Sequence, residues 1–150
     1  MSEIRFYHLQ NQKIEQALPG LIKKALDGNF KILVHMEQEA QLKSLDTHLW
    51  TYHPDSFLPH GSGKDAYPEC QPIWLDTKRE GPNTPNLMIE LADLDIDGIS
   101  GYDLICLMFE DWDANRKSAA RSAWKSLKET GEHTLSYWQQ TDTGGWEKKQ

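Results

Sequence analysis

The opening third of the chain alternates a short apolar strand pattern with a helical one, twice over, and this constrains the fold more than any other feature. "IRFYHL" (residues 4–9) alternates and is rich in aromatics, as a strand does. Ile14, Ala17, Leu18, Leu21, Ile22, Ala25 and Leu26 then mark one face of a helix. Pro19 interrupts the stripe, so the helix either kinks or gives way to a second helix that starts at the proline. Gly28 is the expected stop. "KILVHM" (31–36) has a continuous apolar centre, as a strand covered on both faces has, and Leu42, Leu45 and Leu49 mark a second helix ending near Trp50. A β-α-β-α order calls for a largely parallel sheet with helices on its faces.

Residues 51–71 are rich in Pro, Gly, His and Asp and read as a long loop. "PIWL" (72–75) and "NLMIEL" (86–91) are short strands, and "DLICLMFE" (103–110) is the expected central one. Asp111 or Asp113 can cap a helix over 114–129, with Gly131 closing it. "EHTLSYWQQ" (132–140) resumes strand alternation, and the polar tail 141–150 is expected to fray, apart from Trp146. The later strands lie close together in sequence, which allows part of the sheet to be antiparallel. At 150 residues the chain is expected to form one domain. Cys106, inside the apolar run, reads as a buried reduced thiol. The longest apolar run, 104–109, is too short to span a bilayer, and no secretory segment opens the chain. A cytoplasmic location follows as the expectation.

Several chemistries fail on their own requirements. A dinucleotide site needs glycine in the first strand-to-helix turn, and "LQNQKIEQ" has none. "GSGK" (61–64) ends like a phosphate loop, but Leu58 stands at the first glycine position and Asp65 at the Ser/Thr position. "DLDIDG" (93–98) opens like a calcium loop, but Leu104 stands where the bidentate Glu belongs. His48, His53 and His60 fit no common zinc spacing. No nucleophile elbow is present. No cofactor, metal or catalytic residue is expected.

The charge distribution is more specific. The chain carries a formal charge of −7, yet "RKSAARSAWKSLK" (116–128) holds five of its 16 Lys and Arg residues and no acid. At about 100° per residue, Lys117, Arg121, Trp124 and Lys128 fall within roughly 60° of one another, with Lys125 beside them. Ala119, Ala120, Ala123 and Leu127 fall opposite. Such a helix docks through small apolar residues and displays cations around an indole. That surface suits an acidic ligand with an apolar end, while single-stranded nucleic acid calls for the same residue types.

Three blocks, "FYHL", "LDTHLWTYHPDSFLPHG" and "ARSAWKSLKETG", resemble the chi subunit family of bacterial DNA polymerase III, part of the clamp-loader assembly. The resemblance runs through most of the chain. It implies a Rossmann-like three-layer fold without a nucleotide site, and no catalysis by this chain. It implies an adaptor joining the clamp loader, through the psi subunit, to the acidic, Phe-terminated tail of single-stranded-DNA-binding protein. DNA would be contacted mainly indirectly, with no membrane and no small-molecule substrate. By the resemblance, Lys117, Arg121, Trp124, Lys125 and Lys128 hold the acidic tail, with Gly131 closing the pocket. Phe57, with Pro59 and His60, holds psi. Trp124 stands where relatives often carry Tyr, and Lys128 where an Arg can occur, which would forgo a bidentate grip on carboxylate. Two other readings remain at this point: a direct single-stranded nucleic-acid binder, and a degenerate nucleotide-binding enzyme.

Overall fold

The computed structural model describes residues 3–51, 61–62, 72–94, 101–143 and 145–150. Eight strands and three helices occur among them, in the order β1 (Glu3–Leu9), α1 (Ile14–Asp27), β2 (Ile32–His35), α2 (Glu39–Thr51), β3 (Gly61–Ser62), β4 (Ile73–Asp76), β5 (Leu87–Glu90), β6 (Leu104–Glu110), α3 (Ala114–Thr130), β7 (Thr134–Gln140) and β8 (Trp146–Lys148). The strands form one sheet in the order β3-β4-β2-β5-β6-β1-β7-β8.

β6 lies inside the sheet, parallel to β5 on one side and β1 on the other. Its first six residues are buried because both its faces are covered. Leu104, Cys106 and Met108 join the layer under α1 and α2, built on Leu18, Ile22, Leu45 and Leu49. Ile105, Leu107 and Phe109 point the other way, to Ala120, Ala123 and Leu127 of α3. The fold is therefore α/β, Rossmann-like and three-layered, as expected. Burial pushes the Cys106 thiol up to about 12, in keeping with an inert core residue.

The structure corrects the sequence reading at several points. α1 runs unbroken through Pro19, whose ring is buried among the helix's apolar residues. No second helix begins there. Gly28 does stop α1 as expected, as its C-cap, but the left-handed residue is the next one, Asn29, at φ 64°. Part of the sheet is antiparallel, as the sequence allowed, but among the described residues this is confined to β7 with β8, and β4, β5 and β6 pair in parallel. β8 arises from the tail that was expected to fray. Trp146 anchors it, meeting the Tyr7 ring edge-on at 5.0 Å. Gly61 and Ser62 of the glycine-rich "GSGK" extend the sheet beside β4.

The chain after β1 crosses to β2, and the chain after β6 crosses the opposite way to β7, so the sheet's switch point lies between β1 and β6. Ligands of open α/β sheets bind in the crevice there. Here the turn's donors are occupied from within. The backbone N–H groups of Gln10, Asn11 and Gln12 all donate to the Gln140 side-chain oxygen, at 3.3, 2.9 and 3.0 Å. The Ile14 N–H, at the start of α1, donates to Glu110 at 3.1 Å. A carboxylate and an amide of the chain thus take up backbone donors of the kind that a phosphate would need.

Candidate peptide-binding site

α3 begins with Asp113, whose side chain accepts from the Arg116 N–H at 3.1 Å, and ends at Gly131 in the left-handed conformation, φ 65°. Of the two capping candidates Asp113 is the cap. Asp111 instead accepts from Lys117 at 3.3 Å and bonds His8 Nε2 at 2.7 Å. These bonds, that from His8 foremost, hold the Asp111 carboxyl below its ordinary range.

The small side chains of Ala120 and Ala123 bring α3 close to the sheet, and Leu127 fills the space beyond. The opposite stripe is exposed, but its charges are not equivalent. Lys117 is paired with Asp111, and Arg116 bonds both Asp93 at 2.8 Å and Glu37 at 3.4 Å. The stripe of Lys117, Arg121, Trp124 and Lys128 holds no acid of the helix itself, Glu129 stands one turn beyond Lys125, and acids from neighbouring elements neutralise two of the helix's cations. Among the described residues Arg121, Lys125 and Lys128 have no ion pair. Lys128 lies 6.0 Å from the Trp124 ring centre, a cation–π distance.

Trp124 is half-buried and not simply displayed. It meets Phe6 edge-on at 5.2 Å and Tyr137 edge-on at 5.7 Å. One side of the indole therefore belongs to the core, and the other borders a pocket. That pocket, of about 490 Å³, is lined by Arg121, Trp124, Tyr137, Gln139, Lys149 and Gln150. It contains two cations, no carboxylate side chain and two aromatic rings. The Tyr137 hydroxyl bonds His8 Nδ1 at 2.9 Å, and its burial raises its pKa.

Of the six residues expected to bind an acidic tail, Arg121 and Trp124 line this pocket. Lys125 and Lys128 continue α3 beside it, Lys117 is tied to Asp111, and Gly131 shapes the helix end. Sequence reasoning missed Tyr137, Gln139, Lys149 and Gln150. Period-two alternation along β7 would have put Tyr137 and Gln139 on one face, but nothing in the tail's composition announced a strand. Phe57, Pro59 and His60 lie outside the described residues, as do His53 and Cys70. So does most of "DLDIDG", whose Asp93 is engaged by Arg116. Among the described residues no cluster of three or more His, Cys, Asp or Glu could hold a metal ion, and no helix is long and apolar enough to cross a membrane.

The arrangement can therefore receive an anion with an aromatic or apolar end, by charge at Arg121 and Lys149 and by contact with Trp124 and Tyr137. The comparisons with known proteins agree with the sequence resemblance. The chain is similar to a curated protein of Rickettsia prowazekii (strain Madrid E), "Probable DNA polymerase III subunit chi". The two are 32% identical over 96 residues, which span 64% of this chain and 58% of the relative. The chain thus matches somewhat more than half the length of that relative. Residues 1–134 match the family model described as "DNA polymerase III chi subunit, HolC". On that match, which covers most of its length, the chain belongs to the DNA polymerase III chi subunit family.

Proposed function

We propose that this protein is a non-catalytic accessory subunit of the DNA polymerase III assembly in the cytoplasm. In this role it joins the clamp loader to the acidic C-terminal tail of single-stranded-DNA-binding protein. The observation that carries the tail-binding part is the local charge. An acidic chain leaves Arg121, Lys125 and Lys128 without an ion pair among the described residues, around a half-buried indole and beside a pocket with no carboxylate side chain among its described lining. Isolated surface lysines are common, but a cluster of this kind costs self-repulsion unless a ligand relieves it. The tail's terminal carboxylate meets Arg121, and its final Phe rests against Trp124. Psi is held through Phe57, with Pro59 and His60. The family resemblance and the "SFLPH" block support that assignment.

Arg121→Ala tests the tail site. A charge-assisted bond to carboxylate is worth about 1.5–3 kcal/mol, so calorimetry should record roughly a ten- to hundredfold loss of affinity for an acidic, Phe-terminated peptide. Equal affinity for variant and wild type would remove the site. Phe57→Ala should lose psi and keep the peptide. If the protein instead binds bare oligonucleotide tightly, with affinity falling steeply with salt, the direct nucleic-acid reading replaces this one.

A further inference from the structure

The pocket beside α3 has a second cationic residue that the α3 stripe does not contain, and it comes from the tail. β8 pairs antiparallel with β7 in the register Trp138 to Lys148 and Gln139 to Glu147. Side chains alternate along a strand, so this register sorts the tail between two faces. Trp146 and Lys148 share the α1 face with Trp138, whereas Glu147 and Lys149 share the α3 face with Tyr137 and Gln139. Two main-chain bonds hold Lys149 in place: its N–H donates to the Tyr137 carbonyl at 2.7 Å, and the Tyr137 N–H donates to the Gln150 carbonyl at 3.2 Å. Lys149 lines the pocket together with Arg121, and also borders a neighbouring hollow with Asp142 and Glu147. Its ammonium lies 3.3 Å from Glu147, whose carboxylate is 61% exposed. A pair so open to solvent is weak and exchangeable.

We propose that Lys149 is a specificity-determining cation of this pocket. It takes an acidic side chain of the bound peptide, upstream of the terminal carboxylate that Arg121 takes. The inference rests on the acidic-tail reading above and extends it: two cations from different elements, with Trp124 and Tyr137 in the same wall, select a segment bearing acid on both sides of its apolar contact. In this arrangement β8 is a wall of the site and not a loose end.

Lys148 supplies the control. Lys149→Glu and Lys148→Glu change the net charge equally but act on opposite faces of the sheet. Titrating an Asp-rich, Phe-terminated peptide into the full chain should show Lys149→Glu binding about tenfold or more weakly, and Lys148→Glu within about twofold of wild type. Lys149→Met keeps the apolar stem and the main-chain bonds, and should lose roughly three- to tenfold. Removing the upstream acids from the peptide should abolish the difference between Lys149→Met and wild type. Equal losses for the two Glu variants would reduce Lys149 to general electrostatics and overturn the proposal. Full affinity in both Lys149 variants, with Arg121→Ala still impaired, would overturn it while leaving the tail site standing. Absence of binding by wild type would overturn both.

Discussion

Helices α1 and α3 cover opposite faces of the same strands, and they do so with different side chains. α1 inserts Ile14, Leu18 and Ile22, large aliphatic groups that fill the layer between helix and sheet. α3 approaches through Ala120 and Ala123 and buries one large aliphatic residue, Leu127. Cations stand on both sides, and each side has paired ones. On the α1 side Arg5 is paired with Glu3 in the groove where Tyr7, Trp138 and Trp146 gather. On the α3 side Arg121, Lys125 and Lys128 have no such partners among the described residues. One helix holds the sheet together, and the other trades packing for display.

That division can be broken first at its strongest point. Leu18 is fully buried. Leu18→Ala should cost about 2–5 kcal/mol, by transfer loss and the cavity left behind. Urea titration would measure it. Affinity of the folded variant for the acidic peptide should stay within about twofold of wild type. A parallel loss of affinity would mean that α1 also shapes the binding face, and the contrast would fail.

Ala123→Leu sharpens the comparison from the other side. Three added carbons between α3 and the sheet overpack the contact, at about 1–3 kcal/mol. Because Trp124 adjoins this position and meets both Phe6 and Tyr137, the helix cannot move out without disturbing the indole. Stability and peptide affinity should therefore fall together, as thermal melting and calorimetry would record. A variant that melts early yet binds normally would separate the pocket from the helix–sheet distance.

The contrast between the helices was partly legible in the sequence. Periodicity placed Leu18 and Ile22 inside and Arg121 outside, because helix spacing and burial are local properties. The "LICLMF" run announced a strand covered on both faces for the same reason. What could not be read depends on which strands become neighbours. The pairing of Asp111 with Lys117 and His8 needs β1 beside β6. The buried partnership of His35 with Glu90, to which Arg79 adds a bond at 3.1 Å, needs β2 beside β5. β8 was misread because "TDTGGWEKKQ" has strand signals only at Trp146. Its stability comes from the β7 edge next to it in sequence and from the Tyr7 ring, which is distant in sequence. Gln140 likewise looked like an ordinary strand residue, and its role in satisfying the β1–α1 turn appears only when β7 lies beside β1.

The smallest expected effect concerns Asp111, which ties one cation of the display helix back to the sheet. Its carboxyl is held below its ordinary value of 3.8, first by the His8 bond and then by Lys117. A depressed folded-state pKa means that the ionised form is favoured by folding. The stabilisation is present above 3.8 and is lost as pH falls through the lower, folded value. Asp111→Asn keeps the shape but removes the charge. Wild type should be the more stable protein at pH 7, by less than the cost of Ala123→Leu, because the carboxylate is partly exposed and screened. The gap should close as denaturation is repeated at decreasing pH below 3.8. The substitution also releases the Lys117 ammonium to the binding face, so affinity for the acidic peptide at pH 7 should rise by about twofold. A stability gap that stays constant from pH 7 to low pH would show that the carboxylate's charge contributes nothing. Unchanged peptide affinity would leave Lys117 with the sheet-bound half of the helix, and confine the display to Arg121, Lys125 and Lys128.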